Sequence, residues 1–296
     1  MSVIVVAVAL VLLVGPLVLA SMGLLRSPRG EPSTVPAWDR SLTIHSTLLY
    51  TLAFNLTFFI QELLLVLPKA LTPGLQPTLF HNNHKWVGDN PLASLFQGTG
   101  ALATVLAALV CMGLLRHARG TTLRLFLVWM AYCGLFMALP QVVIGALSGG
   151  SDVGMAMDYL QLAPWVKTVS ALAALLAMPL AAMWLARPLL GLADPPSRIA
   201  TPRSRTRFMF QVATLPAILG TVLVIPFRVP REALEVVLLP VLVAWIGVAW
   251  MQAGAWRLDA IETRGMGTGS TRWLLLAVVG LLLVFQLLLR PGIAFY

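Results

Sequence analysis

The chain has 296 residues, of which 59% are hydrophobic and 10% are charged, and its mean hydropathy is +0.88. Soluble domains contain roughly 45–50% apolar and about 25% charged residues, so this composition excludes an ordinary soluble protein. The net charge of +9 comes almost entirely from arginine, which in a membrane protein reports loop orientation, so no nucleic-acid partner is needed to explain it.

Apolar runs of about 20 residues recur along the chain and are long enough to cross a hydrocarbon core of about 30 Å as helices. Pro, Gly and charged residues bound these runs. The sequence predicts an all-α, polytopic transmembrane bundle of about eight spans, at residues 3–25, 43–67, 92–115, 123–147, 168–190, 208–229, 233–256 and 273–290. A hairpin, either re-entrant or on the surface, is expected between spans two and three.

The basic residues indicate how the bundle is oriented. Fourteen of the twenty follow spans one, three, five and seven, among them Arg29 and Arg264, whereas Arg231 is one of the six on the other side. Because cytoplasmic loops are rich in Lys and Arg, those four loops are expected in the cytoplasm and both termini outside it. We expect the membrane to be a bacterial cytoplasmic membrane, with the lipid bilayer and other membrane subunits as partners.

The longest basic connection, residues 193–207 ("ADPPSRIATPRSRTR"), divides the chain. It separates a five-span front bundle, residues 1–192, from a three-span C-terminal bundle, residues 208–296. Its arginines fit the orientation rule and are also of the kind that attracts anionic lipid headgroups.

A polar stripe runs along span two. Thr51, Asn55, Glu62 and Lys69 fall on a narrow face of a helix with 3.6 residues per turn. A carboxylate at membrane depth is costly, so Glu62 is a candidate functional residue. The alternative is a structural acid bonded to a neighbouring span. In span three, Gln97 belongs to a seam of small and polar residues that favours close helix packing: Ser94, Gln97, Ala101, Thr104, Ala108 and Cys111.

Two further segments carry candidate metal ligands. In the hairpin "KALTPGLQPTLFHNNHKWVGDNP", the spacing of His81 and His84 suits one metal ion, with Asp89 or Glu62 supplying oxygen. The alternative is an interfacial loop anchored by Trp86. After span four, "SGGSDVGMAMDYL" places Asp152 in a turn on the same predicted side, either as a ligand or, in our preferred interpretation, as a helix N-cap.

Taken in order, these segments resemble the site-2 protease family of intramembrane zinc metallopeptidases over roughly residues 50–165. In that family one helix carries HEXXH, a hairpin enters the membrane beside it, the next helix begins with a Gly-Pro-small signature, and a later turn supplies an aspartate ligand. Here "QELLL" (61–65) is similar to the first element, "GTGALA" (98–103) to the third and "LPQVVIGALSGGSDVG" to the last.

The resemblance implies that Glu62 is the general base and Asp152 a metal ligand. Both histidines of the motif are absent, because Gln61 and Leu65 take their places, and leucine does not bind zinc. We therefore favour a degenerate peptidase-like core acting as a non-catalytic scaffold or accessory subunit.

The alternative is a metal-dependent intramembrane hydrolase with a relocated site. In it His81, His84 and Asp152 hold zinc and Glu62 activates a water molecule. The surrounding polar pocket would contain Thr51, Asn55, Gln61, Asp89 and Gln97. Transport through the polar stripe ranks last, because no internal repeat is visible.

Overall fold

The computed structural model describes residues 2–26, 38–230, 235–258 and 269–296, so Arg29, Arg231 and Arg264 of the orientation argument lie outside the described residues. The predicted all-α class is confirmed. The helices, in chain order, are α1 (Ser2–Arg26), α2 (Arg40–Ala70), α3 (Leu92–Phe96), α4 (Thr99–Leu114), α5 (Thr121–Leu147), α6 (Asp152–Tyr159), α7 (Pro164–Leu190), α8 (Pro202–Met209), α9 (Leu215–Val224), α10 (Glu235–Gly254) and α11 (Thr271–Leu283). The described residues also form three short strands, β1 (Gln76–Leu79), β2 (His84–Val87) and β3 (Ile293–Ala294).

Among the described residues, seven helical runs are long and apolar enough to cross a membrane: Val3–Leu25, Arg40–Ala70, Leu92–Leu114, Thr121–Leu147, Pro164–Leu190, Pro202–Arg228 and Thr271–Leu289. They coincide with seven of the eight predicted spans. Helix α10 occupies the position of the remaining one, and the residues just before it lie outside the described part of the chain. The chain is therefore a polytopic membrane protein.

Helices α2 and α5 form the centre of the bundle. The fully buried rings of Trp129, Tyr132 and Phe136 follow one another along α5. Tyr50 of α2 meets Trp129 edge-on, with ring centroids 5.0 Å apart. Trp129 Nε1 also donates to Ser46 Oγ at 2.9 Å, which joins the two helices by a polar contact inside the apolar core. These contacts fix the helix on which Glu62 lies.

Helix α4 packs closely on both central helices through small residues, as the seam in span three predicts. A methyl group added at Gly134 of α5 would lie 2.5 Å from the Thr104 carbonyl oxygen and 2.9 Å from Ala108 Cβ. One added at Gly100 of α4 would lie 2.8 Å from Leu65 Cγ. In lipid, where helices gain little from hydrophobic burial against each other, such close van der Waals contact holds them together.

The predicted hairpin between spans two and three is a β-hairpin that gains a third strand. Strands β1 and β2 pair antiparallel with Leu79 opposite His84, and Phe80 N donates to the Asn83 carbonyl at 2.8 Å across the turn. Strand β3 pairs with the other edge of β1, with Leu79 opposite Ile293. Strand β3 was not among the elements predicted from the sequence. The register places His84 at the first position of β2, directly beside the end of α2.

The opposite end of the bundle carries the arginine-rich connections. Arg198 Nη1 contacts Asp39 Oδ2 at 3.4 Å, and Arg205 Nη1 donates to the Leu258 carbonyl at 2.7 Å, so three of these connections meet. The predicted loop 193–207 is shorter than expected, because Thr201 caps α8 in a reciprocal bond with Ser204 and the helix begins at Pro202. Buried residues before and after this connection belong to one continuous core.

Candidate functional site

Glu62 and His84 form a buried pair. Glu62 lies in the last third of α2, His84 begins β2, and each side chain is 8% exposed. His84 Nδ1 is 2.8 Å from Glu62 Oε2, so the imidazole donates to the carboxylate. The hairpin therefore closes onto the polar face of span two, and the carboxylate that the sequence singled out has a specific partner.

Lys69 and Gln97 extend this pair away from Glu62. Gln97 Oε1 is 3.1 Å from His84 Nε2 and accepts from Lys69 Nζ at 3.1 Å. Lys69 Nζ also donates to the Leu65 carbonyl at 2.9 Å and lies 4.6 Å from the centroid of the Trp86 ring. All four side chains are thus connected, and the positive charge of Lys69 lies about two helical turns beyond Glu62 on the same face.

Both ring nitrogens of His84 are engaged. Nδ1 faces a carboxylate oxygen and Nε2 faces an amide oxygen that already accepts from Lys69. Lys69 Nζ is also 3.5 Å from Nε2, so this nitrogen has a donor as well as an acceptor beside it. A histidine that binds a metal needs one ring nitrogen that is free to coordinate. In this arrangement both ring nitrogens of His84 have side-chain partners, with Glu62 the nearer one.

A cavity of ≈ 380 Å³ lies next to the pair, between α2, α5, α6 and the hairpin. Its polar wall is formed by Gln61, Glu62, Asn82, Asn83, His84, Gln141, Ser151 and Asp152, and its apolar wall includes Phe58, Phe136, Met137, Pro140, Ile144, Val153, Pro240 and Val243. The structure thus brings Glu62, His84 and Asp152 together, as the sequence order of the three segments suggested. The volume and the mixture of walls fit a small organic group.

Asp152 faces this cavity from the first turn of α6. Burial, and next the negative charge of Glu62, raise the pKa of Asp152, while the positive charges of His84 and Lys69 oppose that rise. The preferred interpretation of Asp152 as an N-cap is wrong. Ser151 caps the helix, because its Oγ accepts from Gly154 N at 3.3 Å. Asp152 is the first residue of the helix, where a negative charge interacts favourably with the helix dipole but does not cap the helix.

The other predicted pocket residues have separate positions. Gln61 does line the cavity, and its Oε1 accepts from Gln141 Nε2 at 2.9 Å. Thr51 and Asn55 are fully buried but bond to carbonyls one turn earlier in α2 and do not line the cavity. Asp89 is exposed beyond the hairpin and does not line the cavity.

His81 is buried in the hairpin turn but does not line the cavity. Its carbonyl accepts from Arg228 Nη1 at 3.5 Å, so the turn is attached to the end of the sixth predicted span. Arg228 also stacks on Phe58, with the guanidinium carbon 3.5 Å from the ring centroid. Sequence reasoning missed this contact, although an arginine on the side of the bundle that is poor in basic residues was a usable signal.

Of the two hairpin histidines, His84 lines the cavity and His81 does not. His81 and His84 are three residues apart, but the turn directs them to different surroundings. Within the described residues, no group of three or more His, Cys, Asp or Glu side chains is placed to hold one metal ion. What the site offers is a buried acid–base pair beside a partly apolar cavity.

Comparison with known proteins gives no match, since no family model, no curated protein and no solved structure corresponds to this chain. The resemblance to the site-2 proteases therefore stays a prediction that rests on the residues quoted above.

Proposed function

We propose that the protein is a non-catalytic membrane scaffold or accessory subunit, in which a peptidase-like core holds a partner or ligand instead of cleaving it. The observation that supports this most directly is the engagement of His84 by Glu62 and Gln97 through both ring nitrogens. The Oε2 atom of Glu62 is occupied by His84, so this oxygen does not accept a proton from water in this arrangement.

The residues at the former motif positions support the same proposal. Gln61 bonds to Gln141, Glu62 bonds to His84, and Leu65 is 1% exposed and packs against Gly100 of α4. All three positions therefore hold helices and hairpin together. A protein of this kind keeps the scaffold of an enzyme while its former site becomes a structural joint.

One observation favours the alternative, a metal-dependent intramembrane hydrolase. Glu62, His84 and Asp152 line one cavity, so two carboxylates and an imidazole are available in a single space. To bind zinc, His84 would have to release Glu62 or Gln97. This alternative therefore predicts a second arrangement of the hairpin.

We further propose that the arginine-rich end lies in the cytoplasm and that the hairpin end, with both termini, lies on the other side of a bacterial cytoplasmic membrane. The positive-inside rule supports this orientation. Accessibility labelling of single cysteines introduced at Asp89 and Arg119 tests it, because both positions are exposed and belong to opposite ends of the bundle.

Metal content measured by mass spectrometry on purified protein separates the two functions. The native chain, His84→Ala and the matched variant His81→Ala are compared. A scaffold gives no stoichiometric zinc in any of them, and the same partner proteins co-purify with the native chain and Glu62→Gln. About one zinc per chain that is lost in His84→Ala but kept in His81→Ala identifies the hydrolase. Loss in both variants points to the site with both histidines.

A further inference from the structure

A second cavity, of ≈ 690 Å³, lies at the arginine-rich end of the bundle, far along the chain from the hairpin. It is a groove between α1, α8, α9 and α10, and its apolar lining includes Leu17, Leu24, Phe210, Ile218, Trp245 and Trp256. Leu17 and Leu24 are 69% and 79% exposed, so the α1 wall of the groove is open to the surroundings of the protein. In a bilayer those surroundings are acyl chains.

Two arginines stand at the α8 side of this groove. Arg203 and Arg207 are one helical turn apart, line the groove and are exposed. Arg205, between them, points elsewhere, since its Nη1 donates to the Leu258 carbonyl at 2.7 Å and its Nε to the Ile199 carbonyl at 3.0 Å. Helix α8 therefore uses one arginine to hold the fold and presents two to the groove.

The two groove arginines have no acidic partner among the residues that the structure describes. The ion pair at this end of the described chain joins Asp39 to Arg198. Two guanidinium groups beside an apolar channel are suited to a ligand that is anionic at one end and apolar along its length. Guanidinium binds phosphate oxygens in a fork geometry, and the apolar channel accepts a hydrocarbon chain.

We propose that this groove is a binding site for an anionic phospholipid, with the headgroup phosphate on Arg203 and Arg207 and one acyl chain along α1 and α10. Basic pockets between membrane helices bind anionic headgroups in this way. The site is independent of the hairpin cavity and of the function proposed for it. The proposal differs from a general attraction between a basic loop and the membrane, because it names a defined site with a polar part and an apolar part.

The test is native mass spectrometry of the full chain in neutral detergent, with added dioleoyl phosphatidylglycerol or dioleoyl phosphatidylcholine. Three variants are compared. Arg203→Gln/Arg207→Gln removes the headgroup contacts, and Ala249→Trp fills the groove while leaving both arginines. Arg116→Gln/Arg119→Gln is the control, because it removes the same charge from exposed positions at the same end but outside the groove.

The expected result is a one-to-one phosphatidylglycerol complex, at least about tenfold more abundant than the phosphatidylcholine complex, that is lost in the first two variants and kept in the control. Equal loss in the control would reduce the effect to diffuse attraction. Retention in Ala249→Trp, equal binding of the two lipids, or a dimer that forms through this face would each overturn the proposal. Thermal unfolding of every variant shows that a loss of binding is not a loss of fold.

Discussion

Removing His84 should destabilise the fold through the charge it leaves behind, and removing that charge should restore part of the stability. In His84→Ala the Glu62 carboxylate, 8% exposed, loses the imidazole 2.8 Å away. Removing one partner of a buried ion pair costs about 3–5 kcal/mol, because the remaining charge is neither solvated nor paired. Glu62→Gln alone keeps the shape and a neutral hydrogen bond, so it should cost only about 1 kcal/mol.

The two changes together give the decisive value. An unpaired buried amide costs about 1–3 kcal/mol, less than an unpaired carboxylate. Glu62→Gln should therefore stabilise the His84→Ala protein by roughly 1–3 kcal/mol, although it destabilises the native protein. The assay is reversible unfolding in mixed micelles, followed by the fluorescence of the nine tryptophans.

A matched cycle on Asp158 and Lys167 serves as the control. This ion pair is more exposed, with side chains 53% and 20% accessible, so its coupling should stay below about 1 kcal/mol. If Glu62→Gln destabilises the His84→Ala protein as much as it destabilises the native one, the two side chains are not an energetically coupled pair. The proposal of a structural joint would then lose its main support.

Three further predictions concern the surroundings of the site. Gly134→Ala should cost about 1–3 kcal/mol in the same unfolding assay, because the new methyl group overlaps the Thr104 carbonyl. Gly113→Ala, which has open space beside it in α4, should be neutral or slightly stabilising. Equal costs for the two variants would contradict the close packing of α4 on α5. Ser151→Ala should lower the free energy of unfolding by about 1 kcal/mol, because it removes the N-cap of α6, which Asp152→Asn retains. A larger loss of stability in Asp152→Asn would show that Asp152, and not Ser151, caps the helix. The folded-state pKa of Asp152 is raised above its ordinary value of 3.8, so the folded state binds this proton more tightly than the unfolded state does. Stability should therefore fall as the pH rises from 3.8 through the raised pKa. Asp152→Asn should remove that decline from melting curves recorded between about pH 4 and 7, and an unchanged pH profile would refute the prediction.

The features that the sequence predicted are those with a local physical cause. Seven of the eight spans follow from the length of apolar runs alone, because each span meets the bilayer requirement by itself. Glu62 stood out because a carboxylate is costly in such a run, and the polar face of span two pointed to a partner. That the partner is His84 follows from the β1–β2 register, which no local pattern determines.

The errors arose where neighbouring residues competed for one role. Ser151 and Asp152 are both good N-caps, and only the position of the first helical turn distinguishes them. The metal site at His81 and His84 stays a prediction, in which His84 begins β2 and lines the cavity whereas His81 lies in the turn before it. Arg228 reaches the hairpin turn from a distant part of the chain, and long-range contacts of this kind are not visible in a single sequence.

Strand β3 has a consequence for the order in which the protein is made. Strand β1 emerges from the ribosome early, together with α2, but its second edge is covered only after α11 has been synthesised and inserted. Until then, the hairpin beside Glu62 presents an open strand edge, which is a template for pairing with other chains. The hairpin end is thus completed only after α11 has been made, so a chain interrupted before residue 293 would carry an inserted bundle with an uncovered edge at its cavity.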